Sequence, residues 1–146
     1  MGATYNVGMG TDFSQLLVKN YNHWSIYLHA NQGYLGRCVV WCKRDDALDL
    51  TDATQEEQAE LFLVLTELRR ATKSAFGADW FNYAFLSNET KHLHGHFIPR
   101  YAKPKTFMRV VFEDKRYGHN YRTDHDFVTP AFVLVKVKSL LQKMLE

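Results

Sequence analysis

Three histidines in strict alternation, His92-Leu93-His94-Gly95-His96, are the residues of this sequence best suited to chemistry. On an extended strand the side chains alternate between faces, so His92, His94 and His96 share one face, with neighbours about 6–7 Å apart. Two chemistries fit such a row. In the first the histidines hold a metal, because neutral imidazole binds zinc and three ligands plus water make a catalytic centre. The geometry suits this only in part. Residues i and i+2 can chelate one ion, but the third lies about 13 Å from the first, beyond a tetrahedral shell with bonds of about 2.1 Å. In the second, one imidazole attacks phosphorus while its neighbours orient it or protonate the leaving group, which uses all three positions. The nucleophile's other nitrogen must then be held as a donor, so that its lone pair faces the substrate. A flanking imidazole with a pKa of about 6.5 can act as an acid at neutral pH. The polar outer face of a half-exposed strand remains a third reading, better suited to one histidine than to three.

Elements on both sides must position this row. Phe81 to Leu86 and His92 to Ile98 read as short strands joined through Ser87-Asn88-Glu89-Thr90-Lys91, a hairpin that Pro99 should end. The apolar run Cys38 to Cys42 reads as a central strand covered on both faces, and Tyr21 to Leu28 as a strand entry, with Gly33 and Gly36 turning the chain between them. Asp12 is placed to cap a short helix through Leu16, Leu17 and Val18. A long helix is predicted from Thr54, which forms a capping box with Glu57, through Leu61, Val64, Leu65 and Leu68 to a stop at Gly77. A second helix should start at Thr129-Pro130, with threonine as cap, and turn Val133, Val137, Leu140, Leu141 and Met144 inward. The expected class is therefore α+β, an antiparallel sheet with one long helix packed on it and a helix at the end of the chain.

The bulk properties narrow the partners. A length of 146 residues fits one domain spanning 1–146, with the glycine-rich residues 1–11 expected to be flexible. At 46% hydrophobic and 23% charged, the chain lies far from the composition of disordered sequences. A net charge of +2 is too small for a nucleic-acid-wrapping surface, so an anionic partner should be small. No apolar run approaches the ~20 residues that span a bilayer, and no cleavable signal opens the chain, which makes the cytoplasm the expected compartment and a membrane partner unexpected. Cys38 and Cys42 lie too far apart on one strand to bridge, so they read as reduced core residues. The stretch from Arg100 to Arg116 is locally basic and could guide polyphosphate, with Arg100 next to the histidine strand.

The run His92 to Tyr101, HLHGHFIPRY, resembles the signature of the histidine triad superfamily. The lead-in Phe81-Asn82-Tyr83-Ala84 and Leu86-Ser87-Asn88 resembles that of a branch related to dinucleoside polyphosphate hydrolases, with Ser87 where glycine is usual. Leu35-Gly36-Arg37, the strand after it and Lys43-Arg44 resemble an earlier strand of the same family, and the likeness extends from about Trp24 to Tyr101. It implies a histidine-triad fold and a nucleotide as substrate. It makes His94 the nucleophile that forms a nucleotidyl-histidine, places His96 near the bridging oxygen, lets His92 support the strand, and matches Asn88 to a contact with phosphate or leaving group. It aligns His29 and Asn31 with the ribose and base contacts. Asn82 is a candidate ligand, weighed against a strand asparagine bonded to backbone. The resemblance implies no cofactor held by the triad, with a divalent metal entering only on the substrate phosphates, and a homodimer. Two departures stand out: Gly95 replaces the usual apolar residue, and Arg37 replaces a histidine common there, pairing instead with a phosphate or a carboxylate. A nucleoside phosphoramidase, and a nucleotide-binding module with little turnover, remain alternatives.

Overall fold

The computed structural model describes residues 13–146, so the expectations for residues 1–11 and for Asp12 as a cap lie outside the described residues. Five strands form one antiparallel sheet in the order β1-β2-β3-β5-β4: β1 (Leu17–Asn20), β2 (Trp24–Leu28), β3 (Cys38–Cys42), β4 (Trp80–Ala84) and β5 (His94–Arg100). The helix α1 (Gln55–Phe76) connects β3 to β4, and because β5 then inserts between those two strands, β4 is left at the edge. A small ribbon, β6 (Lys105–Phe107) with β7 (Val110–Phe112), precedes the terminal helix α2 (Ala131–Met144).

Local chemistry sets the ends of α1. Thr54 Oγ1 accepts from Glu57 N at 3.1 Å and Glu57 Oε1 accepts from Thr54 N at 2.8 Å, the reciprocal box that satisfies donors at a helix start. Gly77 closes the helix at φ 68°, a left-handed conformation that costs glycine little. Leu61, Val64, Leu68, Ala71 and Phe76 turn inward onto Trp24, Ile26, Leu28, Val40 and Phe97 of the sheet. Cys38 and Cys42 are buried in this layer with free thiols.

The strands β4 and β5 end and begin two residues from the expected Leu86 and His92, at Ala84 and His94, and four further differences have a visible reason. Leu17 and Val18 belong to β1, because Leu17, Lys19 and Asn20 pair with β2 across an irregularity at Val18, and only Phe13–Leu16 form a helical turn. The strand β2 begins at Trp24, since Tyr21 N donates to Trp24 O at 2.8 Å and so closes the turn before it. Thr129 does not cap α2. Its hydroxyl accepts from Gln32 N at 2.8 Å, Pro130 occupies the cap position, and Leu145 rather than Met144 is buried. Pro99 does not end the histidine strand, which runs on to Arg100. Leu93 O accepts from Cys42 N on the β3 side and Arg100 O from Asp79 N on the β4 side, so alternation turns the proline nitrogen toward β3. The β3 ladder has already ended at Cys38–Phe97, and no backbone donor is missed there.

Candidate active site

Register decides which side chains share the face opposite α1. Trp41 pairs with His94 and Val39 with His96 across β3 and β5, and directly opposed residues project to one side. His92 precedes β5 rather than lying in it, yet its ring stacks on Trp41, with centroids 4.1 Å apart and planes 22° apart. Trp41 also lies 5.5 Å from the His94 ring, His94 5.5 Å from His96, and His96 5.9 Å from His29. The row expected from the spacing is present, and His29, at the end of β2, extends it to four imidazoles.

Each ring has a partner that fixes where its proton sits. His94 Nδ1 is 2.7 Å from the carbonyl oxygen of His92; a carbonyl only accepts, so Nδ1 carries the hydrogen and Nε2 the lone pair. Ser87 Oγ donates to the same carbonyl at 3.0 Å from a backbone of φ 49°, which ties the 85–93 loop to the nucleophile's support. His92 Nε2 donates to Cys42 O at 2.6 Å. His29 Nδ1 accepts from Asn31 N at 3.0 Å, so its hydrogen is on Nε2. His96 Nδ1 is 3.3 Å from Arg37 Nη2, and a guanidinium has only donors, so His96 likewise carries its hydrogen on Nε2.

Burial then lowers the proton affinity of His29, His94 and His96. Burial, and after it the Arg37 charge and a neighbouring histidine, push His96 and His29 down to about 3. His94 is lowered by burial, against the opposing pull of its bond to the His92 carbonyl. The expected acid of ordinary pKa at His96 is therefore corrected. At neutral pH His94 therefore carries its lone pair on Nε2, and His96 and His29 are neutral rings with their hydrogens on Nε2.

The remaining candidates divide between this cluster and the loops around it. Arg37 is 4% exposed and joins the cluster: Nη1 donates to Thr123 Oγ1 at 2.8 Å and the guanidinium lies 5.3 Å from the Tyr121 ring. Asn88 is exposed beside Ser87 on the loop leading to the triad. Asn31 holds loops together, its side chain accepting from Gly33 N and donating to Asp124 O at 2.8 and 2.9 Å. Asn82 accepts from Arg100 Nη1 at 2.6 Å. Arg100 itself is 2% exposed, and its other bonds run to both carboxylate oxygens of Asp114 and to the carbonyls of His119 and Arg116. Five donors meet five acceptors, so Arg100 clamps the 114–119 segment.

Sequence reasoning missed three contributors. Trp41 is a stacking platform, which its register opposite His94 could have revealed. Thr123 and Gln32 carry no local signal. Gln32 is fully buried and bonds His29 O, Arg37 O and Gly36 N at 2.7, 2.9 and 2.7 Å, so it holds the loop that presents His29 and Arg37. An open cavity of about 1300 Å³ lies beside the triad rather than over it; Ala84, which pairs with His96, and Tyr121 and Thr123, which touch Arg37, form its nearest wall. Among the described residues no group of three His, Cys, Asp or Glu is arranged to hold a metal ion, and no helix is long and apolar enough to cross a membrane.

The profile of the HIT domain matches residues 14–103. A search of curated proteins finds no match. A histidine triad protein from Sinorhizobium meliloti superposes with a TM-score of 0.73 at 16% identity, covering 88% of this chain and 87% of that one. One from Bradyrhizobium japonicum gives 0.69 at 18% identity, covering 95% and 98%. A zinc-bound histidine triad family protein from Mycobacterium smegmatis gives 0.63 at 22% identity, covering 89% and 83%. At these identities the likeness is one of fold.

Proposed function

This chain belongs to the HIT domain family, and from that premise we propose that it is a nucleotide hydrolase or transferase working through a nucleotidyl-His94 intermediate. One observation carries the reading: the bond from His94 Nδ1–H to the His92 carbonyl fixes Nε2 of the middle histidine as the nitrogen that holds the lone pair. In the first step Nε2 forms a bond to the α-phosphorus, and the bond to the bridging oxygen breaks with its electron pair on the departing phosphate. Water then attacks the same phosphorus, losing a proton to solvent, and the N–P electrons return to Nε2. The His96 Nε2–H stabilises the bridging oxygen as charge develops on it. Asn88, His29 and Arg37 are the residues assigned by this reading to contact phosphate or ribose.

Dinucleoside polyphosphates are the favoured substrates within the family. A leaving phosphate departs as an anion, whereas an amine leaving from a phosphoramidate requires a proton. A His96 held near 3 carries no spare proton at neutral pH, which favours the anhydride over the phosphoramidate. A zinc-bound relative of similar fold keeps the metal reading in view, but three of the triad nitrogens here face Cys42 O, His92 O and Arg37 instead of a common point. No cofactor held by the triad is needed for the steps above, and a divalent cation would enter with the substrate phosphates.

The test is a side-by-side assay of dinucleoside polyphosphates and nucleoside phosphoramidates with acid-quench trapping of labelled nucleotide on the protein. Faster turnover of the anhydrides and label on His94 support the proposal. Binding without turnover, matched by His94→Ala, would instead leave a nucleotide-binding module, and stoichiometric zinc in purified protein would reopen the metal reading.

A homodimer is proposed with it. The edge strand β4 has an unpaired side and exposes Trp80 and Tyr83, and next to it an apolar groove contains Leu61, Phe62 and Leu65 of α1, with Phe62 72% exposed. Sedimentation of wild type and Phe62→Arg checks it; a monomeric wild type would rule it out.

A further inference from the structure

We infer that Arg37 is a positioning residue for His96, fixing its hydrogen on Nε2 so that a neutral N–H, rather than a lone pair, meets the substrate. The inference deepens, and rests on, the reading of His94 as nucleophile with His96 as donor.

Geometry carries it. Arg37 Nη2 lies 3.3 Å from His96 Nδ1, and a guanidinium that cannot lose its proton leaves that nitrogen no role but acceptor. The arginine is held from two other sides. Thr123 Oγ1 accepts from Nη1 at 2.8 Å, and the Tyr121 ring lies against the guanidinium at 5.3 Å. Its backbone is fixed as well, because Arg37 O accepts from His29 N at 3.0 Å and from Gln32 Nε2 at 2.9 Å. A histidine at position 37 could accept or donate at the same contact and would leave both tautomers of His96 open. Arginine removes that choice and adds a fixed positive charge.

The groups facing His96 reinforce the effect. His94 approaches from β5, His29 from the turn after β2 and Arg37 from the segment before β3, while Ala84 of β4 is apolar and Thr123 neutral; His125 acts on His29 from beyond. Burial first, then the Arg37 charge and His94, oppose protonation of His96. Two outcomes follow: the donor stays neutral across the physiological range, and its hydrogen remains on the nitrogen remote from Arg37.

Long-range nitrogen-15 NMR of the histidine rings in the free protein tests this without substrate. The expected result for wild type is an Nε2–H tautomer of His96 that does not titrate between pH 8 and 5. Arg37→Met should give mixed tautomers and raise the proton affinity of His96 at least tenfold. Arg37→His, whose ring can accept or donate at that contact, should do the same if the methionine variant does not fold. An unchanged tautomer and titration in the folded variant would overturn the inference. Because the readout needs no turnover, failure to trap nucleotidyl-His94 would bear on the proposed reaction and not on this contact.

Discussion

The ring of Phe85 lies against Gly95, so close that a methyl group at position 95 would stand 2.4 Å from Phe85 Cε1 and 2.5 Å from Cζ. Gly95 is thus the space that Phe85 fills on the α1 side of the sheet, between the two histidines that face the other way. Gly95→Ala should destabilise the fold by about 1–3 kcal/mol, the range for overpacking a closed site. Phe85→Leu in the same chain should recover most of that loss, as thermal or denaturant unfolding will measure. Equal losses in the single and double variants would show that the ring is not what excludes a side chain at 95.

His94→Ala should reduce turnover by about three orders of magnitude or more, as expected when the attacking group of a covalent mechanism is lost. His94→Ala should also take up no label in the acid-quench experiment. Substrate binding should change far less, because His29, His96 and Arg37 remain. Equal turnover in wild type and variant would end the enzyme reading.

Stability should fall with acidity earlier than carboxylate titration alone would cause. His29 and His96 stay neutral in the folded chain down to about 3, while in the unfolded chain they take up protons near their ordinary value of 6.5. Below that value the unfolded state binds more protons, so stability decreases as pH falls from 6.5 toward 3. Two such groups give a slope of about 2–3 kcal/mol per pH unit near pH 5. Glu57, lowered to about 2 chiefly by its bonds to Arg44, adds a loss in the same direction only below about 4.5. Denaturant midpoints between pH 6.5 and 5 therefore isolate the histidines, and a flat profile there would contradict their burial as neutral rings.

Arg100→Lys should cost about 3–5 kcal/mol, the penalty for breaking a buried ion pair and stranding its partner. A single ammonium cannot reach the two Asp114 oxygens, Asn82 and two carbonyls that the guanidinium bonds. Folded protein below the melting point should keep a similar KM. A raised KM with unchanged thermal stability would instead return Arg100 to the role of a phosphate contact.

Much of the architecture could be read from the residues themselves. The Thr54–Glu57 box, the spacing of Leu61, Val64 and Leu68 and the stop at Gly77 are local signals, and α1 follows them from Gln55 to Phe76. Alternation placed His94 and His96 on one face for the same local reason: the two-residue period of a strand needs no knowledge of its neighbours. Elements whose ends depend on distant partners were less legible. Thr129 was taken up by Gln32, 97 positions away, and Pro99 is tolerated because β3 stops before reaching it.

The sequence by itself determined that three imidazoles are available in a row and that a long capped helix and a sheet would present them. Only the tertiary structure decided their states. Which nitrogen of His94 holds a lone pair depends on a carbonyl two residues away, but which nitrogen of His96 does depends on Arg37, 59 positions distant. The same holds for charge. Sequence assigns His29 and His96 the pKa of a solvated ring, and folding lowers it by removing water and bringing Arg37 and a second imidazole alongside. Spacing along a chain fixes direction, whereas proton position and charge depend on what approaches from elsewhere in the fold.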